Sequence, residues 1–455
     1  MTVASPRPAG GPSASSPSRG ALGAPGPDVA RELCAVTVPV RPELLGDLVR
    51  AGGRPGSRLW SHGGMSLLAR GEALRLTLPA GWAHPGHVSF VSEALSLIET
   101  EDPVMAPGSG AVALGALPYD PGRAGHLVVP RLLAVARDGQ AWATLTGPGP
   151  LPPSSAEATS AIEEELAALR RHVEEQSRAQ SLPDRFELSA HMPHSEWKLL
   201  VARAVAEMER GAFAKVVLAR RVDVVGNRPF VLPETLSRLA NLYPSCAVFH
   251  VEGFIGASPE TLVRRTGHDV LSHPLAGTVA RSGDTATDAA LLAALMASGK
   301  DRHEHQLVVD EIAAKLRPLC RQLEVPPVPS VLALRNVSHL GTELRGTLAD
   351  GATSSLALAA LLQPTPAVGG LPAEAALAWQ RANEGFDRGT YAGPVGWVDS
   401  RGDGEWALGL RSADVSGPHA ALYAGNGIVA GSAPDAELAE TQLKLQALLA
   451  ALVRP

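Results

Sequence analysis

The apolar positions between residues 300 and 320 recur at Val308, Ile312, Leu316 and Leu319, the three-to-four spacing of a helix with one core-facing stripe. Glu304 lies one turn ahead of Val308 and heads that stripe, so the pattern predicts a carboxylate on the buried side of the helix. An unpaired carboxylate there is costly and needs a proton, a cation or a metal. A second helix is expected to start at Ser195 as its cap, to run through Trp197, Val201, Val205 and Met208, and to end at Gly211. Further helices are expected over 288–296, 354–362, 372–384 and 434–452. The β-rich run Phe213-Ala-Lys-Val-Val-Leu-Ala reads as a strand, as do 247–255, 261–264, 331–334, 392–398, 405–410 and 419–424. Nearer the N-terminus, the short stretches 66–68 and 74–78 flank Gly71 as the strands of a hairpin. Residues 157–180 are rich in Ala, Glu and Arg and read as an exposed helix or linker. Helices fall between groups of strands rather than alternating with them, which predicts α+β layers and not a doubly wound sheet.

The chain of 455 residues is long enough for a large core, and its 45% hydrophobic and 19% charged residues are ordinary for a soluble globular protein. The net charge of −6 gives no basic footprint for nucleic acid. No apolar run reaches the roughly 20 residues that span a bilayer, so no membrane partner is expected. Residues 1–27 are rich in Pro, Gly, Ser and Ala, lack the apolar stretch of a secretory signal, and read as a disordered tail. Cys34, Cys246 and Cys320 are too widely spaced for a disulfide framework or a zinc cluster, which favours a reducing cytoplasm.

Lys215 sits in an otherwise apolar strand. It is either a charge guarding an edge strand or a partly desolvated amine able to act as a general base. Glu260 follows the turn Gly256-Ala-Ser-Pro. It is either a solvated residue at a strand end or, if buried, a protonated general acid. Leu275-Ala-Gly-Thr offers small residues and free amides for close approach to a ligand, or a tight turn. Glu437, Glu440 and Lys444 share one face of the last helix, as a helix-dipole complement with a salt bridge or, together with Glu304, as an all-oxygen ligand set suited to magnesium. His303 and His305 flank Glu304, point to other faces and are read as non-ligands. Arg411 ends the strand Trp406-Ala-Leu-Gly-Leu, where a guanidinium either clamps a carboxylate or lies on the surface.

These segments, in this order, resemble the chorismate-utilising enzymes, most closely the isochorismate synthases. The resemblance covers about 196–449. It rests on Phe213-Ala-Lys-Val-Val-Leu-Ala-Arg, Ala257-Ser-Pro-Glu, Pro274-Leu-Ala-Gly-Thr, Lys300-Asp-Arg-His-Glu-His and Pro364-Thr-Pro-Ala-Val-Gly-Gly. It continues through Phe386-Asp-Arg-Gly-Thr-Tyr-Ala-Gly-Pro-Val-Gly-Trp, Gly425-Asn-Gly-Ile-Val and Glu437-Leu-Ala-Glu, with a looser match at Gly115-Ala-Leu-Pro-Tyr-Asp.

The resemblance implies a large two-layered α/β sandwich, its sheets mostly antiparallel and its helices outside. It implies one domain over 28–455, in which an N-terminal part (28–185) completes the fold of a catalytic, chorismate-binding part (190–455). It implies magnesium-dependent conversion of chorismate to isochorismate, with Lys215 activating a water that attacks ring carbon 2 and Glu260 protonating the departing 4-hydroxyl. Magnesium on Glu304 and Glu440, with Glu437 close by or through water, takes the ring carboxylate. Arg411 and Tyr391 take the pyruvyl carboxylate, amides near Gly277, Thr278 and Gly425 line the pocket, and His339 and Lys444 support it.

Lys215 and Ala276 stand where ammonia-using and aminating relatives carry glutamine and a nucleophilic lysine, which points away from nitrogen chemistry. Salicylate synthases, which also eliminate pyruvate, share Lys215 and Glu260 and are the nearest rival. Gln363 departs from a histidine common in the family. Oligomeric state is not legible, although a monomer fits.

Overall fold

The computed structural model describes residues 27–149, 155–177 and 181–453. Of the tail expected over 1–27, only Pro27 falls among them, where it opens the 3-10 turn Pro27–Glu32. Among the described residues the chain builds a thirteen-stranded, a nine-stranded and a three-stranded sheet. Their pairings are antiparallel apart from Leu33–Pro39 beside Glu99–Glu101. Early and late strands mix in both large sheets: Ser57–His62 pairs with Ala247–Val251, and Val112–Ala116 pairs with Pro394–Asp399.

Side-chain alternation explains why the two large sheets face each other. Leu67, Leu133, Val135 and Trp142 of the larger sheet meet Val112, Leu114, Val395 and Trp397 of the smaller in one buried cluster. Their neighbours Leu68, Leu132, Ala134 and Ala143 point the other way, onto helices. A strand buried on both faces needs apolar residues at odd and even positions alike, which accounts for runs such as Leu132–Arg137. Helices Leu232–Leu242 and Pro434–Val453 cover the outside of the larger sheet. Helices Pro85–Leu97, Ser355–Leu362 and Gly299–Leu316 contribute to the cluster outside the smaller one.

Several expectations are corrected. The stretches 66–68 and 74–78 are not a hairpin: Met65–Arg70 pairs within the larger sheet and Leu74–Leu78 within the smaller. Gly71, at φ 63°, turns the chain from one sheet to the other. The segment 247–255 is two strands, Ala247–Val251 and Phe254–Ser258, because Glu252 and Gly253 both take positive φ and close a two-residue hairpin. The helix Ser155–Ser177 is no linker, since Ala158, Ile162, Leu166 and Leu169 bury one stripe against the larger sheet. Each of its larger apolar side chains contributes about 1.5–3 kcal/mol of burial.

The helix holding Glu304 ends at Leu316, because Pro318 turns the chain into a short 3-10 segment and then the strand Cys320–Glu324. Its buried face is centred on His305, Val308, Val309, Ile312, Ala313 and Leu316, so Glu304 stands at the rim of the stripe rather than at its head. His305 is buried too, bonded through Nε2 to Thr342 Oγ1 at 2.7 Å, and does not point away from the core. The helix expected to be capped by Ser195 is His194–Glu209, preceded by Pro193.

Candidate active site

The site forms where the chain passes between sheets. Pro259 and Glu260 link Phe254–Ser258 of the larger sheet to Thr261–Thr266 of the smaller. Gly409, Leu410 and Arg411 make the return passage, from Gly404–Leu408 to Ser412–Ser416. Arg411 takes φ 47°, a strained conformation for a residue with a side chain. The strand Leu275–Ala280 of the small sheet brings Gly277 and Thr278, and Gly277 at φ 78° needs the absence of a Cβ. The long strands Lys215–Gly226 and His419–Val429 pair along the floor, and the last helix closes one side with Glu440 and Lys444.

One pocket is lined by Glu260, Gly277, Thr278, Glu304, His339, Tyr391, Arg411, Gly425, Glu440 and Lys444. Thus segments far apart in sequence, from Val217 to Lys444, supply a single hollow. Lys215 and Glu437 do not line it directly. Lys215 is fully buried behind Glu304, its Nζ 3.0 Å from Glu304 Oε1. The angles of that contact are not those of a hydrogen bond, so among the described residues the amine has no hydrogen-bond acceptor. Gly427 makes room for the pair: a Cβ there would come within 2.2 Å of Glu304 Oε1 and 2.8 Å of Lys215 Cε. Glu437 is buried beside Asn426 and accepts from Lys300 Nζ at 3.0 Å.

A hydrogen-bond relay joins the two sides of the pocket. Arg411 donates to His339 Nε2 at 2.9 Å, so the hydrogen of the neutral ring lies on Nδ1, which donates to Thr278 Oγ1 at 3.1 Å. The Thr278 hydroxyl is then free to donate to Glu440. Burial and the neighbouring Arg411 and Lys444 charges hold His339 well below the ordinary histidine range, in keeping with a neutral ring. Burial opposes ionisation of Glu440, but the Lys444 ammonium at 2.7 Å and the Thr278 hydroxyl outweigh it and keep its carboxyl below the usual value.

Glu260 differs. Burial pushes its carboxyl up to about 8, against the opposing pull of the Leu275 amide and the more distant Lys215, Lys444 and Arg411 charges. It is therefore an acid that holds its proton at neutral pH. Arg411 makes no ion pair among the described residues, and burial lowers its affinity for its proton. A part-buried guanidinium with no anion beside it among the described residues is a ready site for a carboxylate. Tyr391 stacks on Tyr423 at 5.1 Å, and its hydroxyl faces the open side of Gly425.

Four residues were not singled out from the sequence. Lys300 and Asn426 hold Glu437, Gly427 spaces Lys215 from Glu304, and Arg388 lines the pocket while bonded to Val217 O and Val368 O. The signal for Gly427 was the second glycine of Gly425-Asn-Gly in a strand, where a missing side chain marks close approach. Gln363 is buried and donates to the Tyr119 and Ala392 carbonyls, so it ties the backbone behind the pocket rather than entering it.

The chain belongs to the chorismate binding enzyme family, which it matches over residues 60–453. It is 40% identical over 268 residues to isochorismate synthase DhbC of Bacillus subtilis, a match covering 56% of this chain and 67% of that one. It is 44% identical over 263 residues to the salicylate biosynthesis isochorismate synthase of Pseudomonas aeruginosa, covering 56% of this chain and 54% of the relative's length. The fold matches that of MenF, the menaquinone-specific isochorismate synthase of Escherichia coli, with a TM-score of 0.72 and 27% identity over 93% of this chain and 95% of that structure.

Proposed function

We propose that this protein is an isochorismate synthase, an isomerase that converts chorismate to isochorismate for menaquinone or siderophore biosynthesis. The observation that carries the reading is a proton-holding Glu260 that lines the hollow, set on a different segment from the amine of Lys215 buried behind Glu304. Lys215 as free amine takes a proton from a water that attacks carbon 2. Glu260 gives its proton to the 4-hydroxyl, which leaves as water while the ring double bonds shift. One water enters and one departs, so the product is an isomer of the substrate. Placing base and acid on separate segments lets each address its own ring carbon.

Chorismate is a dianion. Arg411, with Tyr391 near it, is suited to the pyruvyl carboxylate, and the amides near Gly277, Thr278 and Gly425 suit the ring and its hydroxyl. His339 and Lys444 hold the wall, the latter by donating to Gly425 O at 2.9 Å. The residues fit a magnesium ion in kind. Glu304 and Glu440 face one hollow that Gly427 also lines, and both are hard oxygen ligands. Among the described residues no three His, Cys, Asp or Glu side chains stand close enough to form a cage by themselves; the resemblance implies Glu437 close by or through water. Magnesium there would supply positive charge to the ring carboxylate. We place the enzyme in the cytoplasm, in keeping with three free cysteines; among the described residues no helix is long and apolar enough to cross a membrane.

The test is direct. Purified protein with chorismate and magnesium should yield isochorismate without pyruvate, resolved by chromatography. Salicylate with stoichiometric pyruvate would instead make it a salicylate synthase, and unchanged chorismate would leave only a binding protein.

A further inference from the structure

Three carboxylates at or beside the hollow each face a lysine. Lys215 faces Glu304 at 3.0 Å, Lys444 faces Glu440 at 2.7 Å, and Lys300 faces Glu437 at 3.0 Å. The three lysines differ in freedom. The Lys215 side chain is 0% exposed, and that of Lys444 is 15% exposed and also bound to Gly425 O. The Lys300 side chain is 43% exposed although its partner Glu437 is only 4% exposed. Lys300 alone of the three can leave its carboxylate for water without crossing the protein.

Its place in the chain is also unfavourable in isolation. The helix Gly299–Leu316 begins one residue before it, so Lys300 sits in the first turn, at the positive end of the helix dipole, where carboxylates and not ammoniums are favoured. Something else must hold it there, and the buried Glu437 does. Its charge also acts on Glu304 and Glu440, which puts one ammonium within reach of all three acids.

We propose that Lys300 is a resident counter-cation of this carboxylate set: it neutralises Glu437 while no divalent ion is bound, and is released to solvent when one binds. The inference rests on the reading that these glutamates serve a magnesium ion. Glu440 and Glu437 already face the Lys444 and Lys300 ammoniums, so a dication adds positive charge beside Lys300. Release of Lys300 removes one positive charge from the site. A buried Glu437 left with neither lysine nor metal would be poorly solvated, so Lys300 lets the ion-free protein keep a folded pocket at the cost of weaker metal binding.

The experiment is calorimetric titration of magnesium chloride into substrate-free protein, alongside thermal melting with and without the metal. Lys300→Gln should bind magnesium about tenfold more tightly, a difference of about 1.4 kcal/mol. Without metal it should melt below wild type, and added magnesium should raise its Tm more than that of wild type. Lys300→Arg, which keeps the charge, should stay within about threefold of wild-type affinity. Lys300→Met removes the charge while keeping the apolar stem, and it serves the same comparison if the glutamine variant does not fold. Equal or weaker magnesium binding by the uncharged variants, or a metal-free Tm equal to wild type, overturns the role of Lys300. If wild-type protein itself shows neither binding heat nor a melting shift at millimolar magnesium, the metal reading fails first, and that outcome is distinct from the others.

Discussion

Two ion pairs along the strand Lys215–Gly226 have almost the same composition and opposite character. In the first, Glu384 and Arg388 are both buried, and each is saturated. Arg388 donates to both Glu384 oxygens and to the carbonyls of Val217 and Val368, and it stacks over Tyr119 at 4.4 Å. Glu384 also accepts from the Ala219 amide. In the second, Lys215 meets Glu304 at 3.0 Å, yet among the described residues its amine has no hydrogen-bond acceptor, and its partner opens into the pocket. The saturated pair fixes the strand against the helix Ala373–Asn383 and the loop around Val368. The unsaturated pair leaves a buried donor with work still to do. Burial of a charge alone does not separate structure from chemistry here; the completeness of its hydrogen bonds does.

That contrast is broken most strongly at Lys215. Lys215→Ala should lower kcat on the order of 100- to 10,000-fold, the range of a lost general base, while the melting temperature stays near wild type. A Lys215→Ala enzyme turning over at close to the normal rate would mean the base lies elsewhere. At Gly427, alanine would press on Glu304 and Lys215 together, and displacement of about 1 Å predicts roughly a 100-fold fall in kcat/KM. A variant with unaltered kcat/KM would show that the spacing of this pair is not needed. At the saturated pair the sign reverses: Arg388→Met should cost about 3–5 kcal/mol of stability, read as a shift in denaturant midpoint, because it strands Glu384. If Arg388→Met instead melts like wild type and loses only turnover, the two pairs are not different in kind.

Smaller effects sharpen the same comparison. Glu304→Gln should weaken the dependence of rate on magnesium, and an identical metal titration would remove Glu304 from the ligand set. As the proposed acid, Glu260 can act only while protonated. Its carboxyl is raised to about 8, so kcat/KM should fall as pH rises through that value. The folded state keeps a proton that the unfolded carboxyl loses near its ordinary value of 4.5, so this group's contribution to stability also declines between 4.5 and about 8. A rate profile without a limb near 8 would contradict the assignment of Glu260.

The residues that could be read from the sequence were those whose type conflicts with their surroundings. Lys215 within an apolar strand and Glu304 beside an apolar stripe both announced themselves by periodicity. Glu260 and Arg411 stood at the ends of recognisable strands, but nothing in the spacing reveals that these ends are the crossings between two sheets. That depends on strand partners from the first 150 residues, such as Ser57–His62 and Val112–Ala116. The same long-range pairing explains the mistaken hairpin around Gly71: both strands exist, but each found its partner in a different sheet. Lys300 and Glu437 are 137 residues apart, and Arg388 acts through backbone carbonyls, which leave no trace in residue pattern.

The central claim is that the new hydroxyl of the product comes from a water deprotonated beside Lys215, while the old one leaves with the proton of Glu260. Running the reaction in water enriched in oxygen-18 and taking mass spectra of isochorismate at early times tests this most directly. One heavy oxygen per product molecule, placed at carbon 2, is the predicted result. Isochorismate that retains only the oxygens of its parent chorismate would contradict it.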